Sequence, residues 1–113
     1  MSALPNLSRL LTLEAPEKTP DGGGGFEITW GEVGKLWAEV RSGTGRAGAG
    51  EASPVTRMDL RITCRAAPIG NAARPKAGQR FVEGTRIYAI QGVSDDGPSP
   101  QYITVFAREE ETL

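Results

Sequence analysis

The residues best equipped for chemistry are arginines and glycines. Gly43, Thr44, Gly45, Arg46, Ala47 and Gly48 spell the G-x-G-x-x-G string of dinucleotide-binding turns. That chemistry needs a helix N-terminus directly behind the glycines, facing the pyrophosphate. Ala49, Gly50, Glu51, Ala52, Ser53 and Pro54 follow instead, so the string reads as coincidence. Arg57, Arg61 and Arg65 recur every fourth residue, a spacing that puts them on one face of a strand. A basic stripe of this kind binds phosphates, and Arg74, Lys76, Arg80 and Arg86 extend it. The competing role for these arginines is pairing with acids on a neighbouring strand or subunit.

Other chemistries are poorly supplied. With no His, one Cys and two Met, the chain lacks the ligands of a typical zinc or copper site and the commonest general base. No metal, cofactor or enzymatic activity is expected. Asp95 and Asp96 sit in a turn without a base or metal partner. Cys64 has no second cysteine to bridge to, which reads as cytosolic and as a small buried filler. No run of eighteen apolar residues exists, so no membrane segment is expected.

The net charge of −1 hides an uneven distribution. Residues 1–40 carry three basic and six acidic side chains, residues 41–86 nine and three, and residues 87–113 one and five. A basic middle third suggests a surface near a polyanion flanked by surfaces suited to basic partners, although charge runs are commonly just solvated faces.

The elements that must position these groups are strands. Fifteen Gly and eight Pro in 113 residues leave little room for long helices, and the length suits one domain spanning residues 1–113. Between Arg57 and Arg65, Met58, Leu60, Ile62 and Cys64 alternate with polar residues, which predicts a half-buried strand. Leu36, Ala38 and Val40 alternate with Trp37 and Glu39 in a second. Ile87–Val93 and Tyr102–Arg108 flank the turn chemistry of Ser94–Pro100 and should pair as a hairpin. Leu10–Glu14 reads as a short edge strand and Phe26–Trp30 as another, after the loop of four glycines at Gly22–Gly25. Arg80–Glu83 turns into the strand after it at Gly84 and Thr85, and at most one helical turn fits within Ala66–Lys76. Five to seven short strands indicate an all-β fold, a small β-barrel or sandwich.

Trp30 and Trp37 are expected mainly as core filling, with an interface as the alternative. Arg41–Pro54 has four Gly, two Arg and no large apolar side chain, the composition of a long loop that is either functional or disordered. If it runs out and back, each limb reaches at most roughly 23 Å, about the width of a DNA duplex. Glu109, Glu110 and Glu111 form an acidic tail within 109–113, either frayed or docked on a basic partner.

Taken together these residues resemble the phage head-tail joining family, the head-closure or stopper proteins also found in gene transfer agents. The pattern comprises Arg9, Leu11 and Leu13; Asp21 with the glycines to Gly25; Trp30; Leu36, Trp37, Ala38, Glu39 and Val40; and Gly50 with Glu51. Leu60, Arg61 and Ile62 follow, then Ile87, Tyr88, Ala89, Ile90 and Gly92 before Asp95. The resemblance implies a β-barrel with a long internal loop, assembled as a homo-oligomeric ring of about six or twelve subunits, as ring symmetry permits. Such a ring lies between the portal or adaptor and the tail terminator or tail tube, in the neck of a particle assembled in the bacterial cytoplasm. It closes the channel for double-stranded DNA until ejection.

Arg41–Val55, with Arg41, Gly43, Gly45, Arg46, Gly48, Gly50 and Glu51, would then be the channel-facing loop. Arg57, Arg61, Arg65 and Arg80 would contact phosphates or neighbouring subunits. The loop departs from a rigid gate in its Gly and Ala content. Two other functions fit the same elements: a monomeric OB-like single-strand binder using Arg57, Arg61, Arg65 and Phe81, and a tail-terminator or tail-completion protein. The first is short of stacking platforms, since Phe81 and Tyr88 are the aromatics near the stripe.

Overall fold

Alternation of apolar and polar residues, broken by glycine and proline turns, produces six antiparallel strands in the computed structural model, which describes residues 4–42, 59–68, 70–95 and 100–110. They are β1 (Arg9–Pro20), β2 (Phe26–Ser42), β3 (Asp59–Arg65), β4 (Arg80–Glu83), β5 (Arg86–Ser94) and β6 (Tyr102–Glu110). The sheet closes on itself as a barrel in the order β1-β2-β3-β6-β5-β4. No helix occurs among the described residues; Gly70–Gln79 runs through turns instead.

Each strand contributes alternate residues to one core: Leu11 and Leu13, Ala38, Leu60, Ile62 and Cys64, Phe81, Tyr88 and Ile90, and Ile103, Val105 and Ala107. Phe81 and Tyr88 are fully buried, and each contributes about 1.5–3 kcal/mol by leaving water. Cys64 is the expected filler, and burial pushes its thiol up to about 11. The β5–β6 hairpin pairs from Ile87↔Glu110 to Ser94↔Thr104, as expected from its turn residues. The β4–β5 turn falls at Gly84, whose φ of 62° is a left-handed conformation that suits glycine.

The first two strands depart most from expectation. Phe26–Trp30 and Leu36–Val40 are one continuous strand, because Gly31 and Gly34 both keep their pairing with β1. β1 is not an edge strand where it joins the barrel, since Thr12–Glu14 pair with β4 as well as with β2. At the bulge, Leu13 faces Gly34 and Glu14 faces Glu32, leaving Val33 unopposed. The extra residue reverses which side of the sheet each following β2 side chain occupies. By uninterrupted alternation Trp30 would share the inner face of Leu36 and Ala38; the bulge turns it outward.

Trp30 and Trp37 are therefore not core residues. They are 37% and 53% exposed, Trp37 because it alternates with the inward Leu36 and Ala38. The four glycines are not a featureless loop either. The Asp21 carboxylate accepts hydrogen bonds from the backbone N–H groups of Gly23 (2.8 Å) and Gly25 (3.0 Å), which hold its pKa below the usual carboxylate value. The acidic tail begins as part of β6, which takes in Glu109 and Glu110.

Candidate functional site

The outward residues of β2, β3 and β6 build a basic wall. Alternation places Leu60, Ile62 and Cys64 inward and leaves Arg61 and Arg65 exposed. In register, Arg41 lies directly opposite Arg61, and Arg61 opposite Phe106 on the far side. Two arginines facing each other across a strand pair repel, and this costs a few tenths of a kcal/mol (~0.2–1) unless an anion intervenes.

Arg61 and Arg65 lie over the rings of Phe106 and Tyr102, 5.6 and 6.0 Å from their centroids, and have no acidic partner among the described residues. Among the described residues Arg41 has only a loose contact with Glu39, at 3.6 Å, and it is 70% exposed along its side chain. Glu39, Arg41, Arg61, Thr63 and Thr104 line a shallow polar groove of about 180 Å³. Anion binding is the chemistry that this wall offers.

Arg74, Arg80 and Arg86 are engaged within the chain. Arg80 donates to Glu14 at 2.7 Å and stacks on Trp30 at 4.1 Å; Arg74 pairs with Asp95, and Arg86 with Glu109. Arg86 holds the Glu109 carboxyl below its usual pKa, so this first glutamate of the tail is engaged inside the subunit. At one end of the barrel Arg9 and the Tyr88 hydroxyl both donate to Glu83, with Tyr88 Oη 2.8 Å from its carboxylate. Arg9 holds Glu83 below its usual value, while burial pushes Tyr88 up to about 12. These pairs close the barrel and carry no catalytic geometry.

Of the candidates read from sequence, Arg41 and Arg61 come together, Arg65 lies four residues further along the same face, and Arg80 is apart from them on β4. Gly43, Gly45, Arg46, Gly48, Gly50, Glu51 and Arg57 lie outside the described residues, as do Asp96 and Glu111. Phe81 is fully buried, so it offers no face to a nucleobase, and the single-strand binder loses the aromatic assigned to it. No cluster of three or more metal-ligating side chains exists among the described residues.

The match to known proteins decides what kind of chain carries this wall. The model of the family described as phage head completion protein matches residues 3–110. The chain belongs to that family. It is therefore a structural component of the head–tail part of a phage-like particle and not an enzyme. A chain from a structure described as the virion of a native gene transfer agent particle is 43% identical, with 97% of this chain and 100% of that one covered and a TM-score of 0.74. Protein SF1141 from Shigella flexneri 2a, at 21% identity, 99% and 100% coverage and a TM-score of 0.70, shares the fold. No curated protein matches the chain.

Sequence reasoning missed one exposed feature of this head completion protein. Phe26 and Ile28 are 65% and 55% exposed beside Trp30, all three on one face of the β1–β2 ribbon. The signal was present as a period of two, Phe26, Ile28 and Trp30 alternating with Glu27 and Thr29.

Proposed function

We propose that this head completion protein forms a homo-oligomeric ring in the neck of the particle, joining the portal or adaptor to the tail terminator or tail tube and closing the DNA channel until ejection. The observation that carries the proposal is the Arg41/Arg61 pair on the two strands that lead into and out of the 43–58 connection, exposed and without a strong acidic partner among the described residues. In a ring, every copy presents the same pair, and the connection beyond Ser42 adds Arg46 and Arg57, partly offset by Glu51. Phosphates entering the groove would relieve the repulsion between the arginines.

The contacts must also stay few. A duplex held at many phosphates does not slide, because each neutralised phosphate adds to the affinity. Two arginines and one glutamate per copy in Arg41–Val55 hold DNA weakly singly and usefully in concert. Gly43, Gly45, Gly48 and Gly50 bring no side chain to obstruct passage. The native relative's presence in a gene transfer agent virion supports a place in the particle.

The test is deletion of residues 43–50 in the intact particle. Rings are expected to assemble while packaged DNA escapes, read as nuclease-sensitive DNA in purified particles. Retention of DNA at the unmodified level would show that the connection does not close the channel.

A further inference from the structure

β1 and β2 extend beyond the barrel. β4 pairs with β1 only at Thr12–Glu14, and β3 pairs with β2 only from Ala38 to Ser42, so among the described residues Ala15–Pro20 and Phe26–Gly31 pair solely with each other. They make a two-stranded arm about 20 Å long at ~3.3 Å per residue. Its faces are unlike. One carries Pro16, Lys18 and Pro20 opposite Trp30, Ile28 and Phe26; the other carries Ala15, Glu17 and Thr19 opposite Gly31, Thr29 and Glu27. Phe26, Ile28 and Trp30 leave on the order of 300 Å² of apolar surface in water, enough to mark an interaction site. A ribbon of two strands is marginal in water and gains stability when its apolar face is covered.

A matching cavity lies at the arm's root. Where β2 parts from β3, a groove of about 350 Å³ opens among Leu7, Leu13, Val33, Leu36, Trp37 and Ala67. Lys35 and Arg65 also line it, while the arm carries Glu17 and Glu27 on the face opposite the aromatic one, Asp21 in its turn, and Lys18 beside Phe26. We propose that the Phe26–Ile28–Trp30 face of each arm seats in this groove on a second copy of the chain. The inference rests on the ring proposed above and names the contact that builds it.

The occupant is a second copy for three reasons. Val33 and Trp37 belong to the same strand as the arm, so an arm cannot fold back into its own groove without breaking β1–β2 pairing. The arm as a whole carries three acids against Lys18, a net charge opposite in sign to Lys35 and Arg65 at the groove. Attraction therefore acts between the arm and the groove's rim and not on the apolar face itself. Arm and groove are also different surfaces, and a contact between different surfaces joins copies head to tail, the arrangement that closes into rings.

The test places p-benzoylphenylalanine at Phe26, a substitution that keeps an aromatic ring, in particles containing both isotopically labelled and unlabelled chains. Illumination is expected to give products at multiples of 12.0 kDa. Mixed-isotope peptides should join residue 26 to residues 33–37 or 65–73, and the added substitution Ile28→Ser should sharply reduce their yield. Cross-links to another particle protein, to a second arm, or none at all would overturn the arm-to-groove contact. Native mass measurement of neck complexes released from the same particles reads the ring separately: multiple copies without these cross-links end only this inference, and a single copy ends the ring as well.

Discussion

The barrel and the arm are made from the same two strands and obey opposite rules. Up to Leu13, β1 sends Leu11 and Leu13 into a core closed by every other strand, and the barrel's end is sealed by Arg9, Glu83 and Tyr88. Past the bulge at Val33 the same alternation places Trp30, Ile28 and Phe26 on an open face. The difference teaches where stability and association are encoded. One extra residue in a strand moves three large apolar side chains from the core side to the open side of the sheet.

The sharpest contrast is between equivalent truncations in the two regions. Phe81→Ala, in the filled core, is expected to lose about 3–5 kcal/mol of unfolding free energy in urea. Ile28→Ser, in the arm, should change the isolated subunit by no more than ~0.5 kcal/mol. Equal losses would mean that the arm packs within its own subunit.

Next in size is the barrel-end network. Glu83→Gln weakens the bond to Arg9 and gives the donating Tyr88 hydroxyl a neutral amide oxygen in place of a carboxylate, an expected loss of about 1–3 kcal/mol at neutral pH. Because Arg9 and Tyr88 hold the Glu83 pKa below 4.5 in the folded chain, its contribution is complete above about pH 4.5. It fades as pH falls below that value and the carboxyl protonates. Urea midpoints measured from pH 6 to pH 3 should therefore fall more steeply for the parent than for Glu83→Gln; parallel curves would remove the network from the account.

A smaller effect is expected at the turn joining β4 to β5. Gly84 has φ of 62° with open space where a Cβ would stand, so Gly84→Ala should cost about 1–2 kcal/mol through backbone strain alone. The smallest concerns the wall: Arg61→Ser removes the repulsion from Arg41 and should stabilise the isolated subunit by roughly 0.2–0.5 kcal/mol, more at low salt. Destabilisation instead would mean that the stacking on Phe106 outweighs the repulsion.

Local pattern carried the parts of this fold whose cause is local. The alternation of β3, the β5–β6 pairing across Ser94–Pro100 and the turn at Gly84 were legible because neighbouring residues set them. The continuity of β2 was not, since Gly31 and Gly34 look like breaks until β1 pairs through them. Trp30 was placed inside because a small β-domain needs large side chains to fill it, and the bulge that turns it outward has no signature in alternation alone. The wall was half legible: Arg61 and Arg65 followed from their spacing, whereas the engagement of Arg80 by Glu14, 66 residues away, depends on β1 meeting β4.

The most direct test of the account is a cryo-electron-microscopy reconstruction of the particle neck at side-chain resolution. It is expected to show copies of this chain in a ring with Arg41 and Arg61 turned to the lumen and the 43–58 connection entering it. A ring with that wall facing outward, or a single copy away from the DNA path, would contradict it.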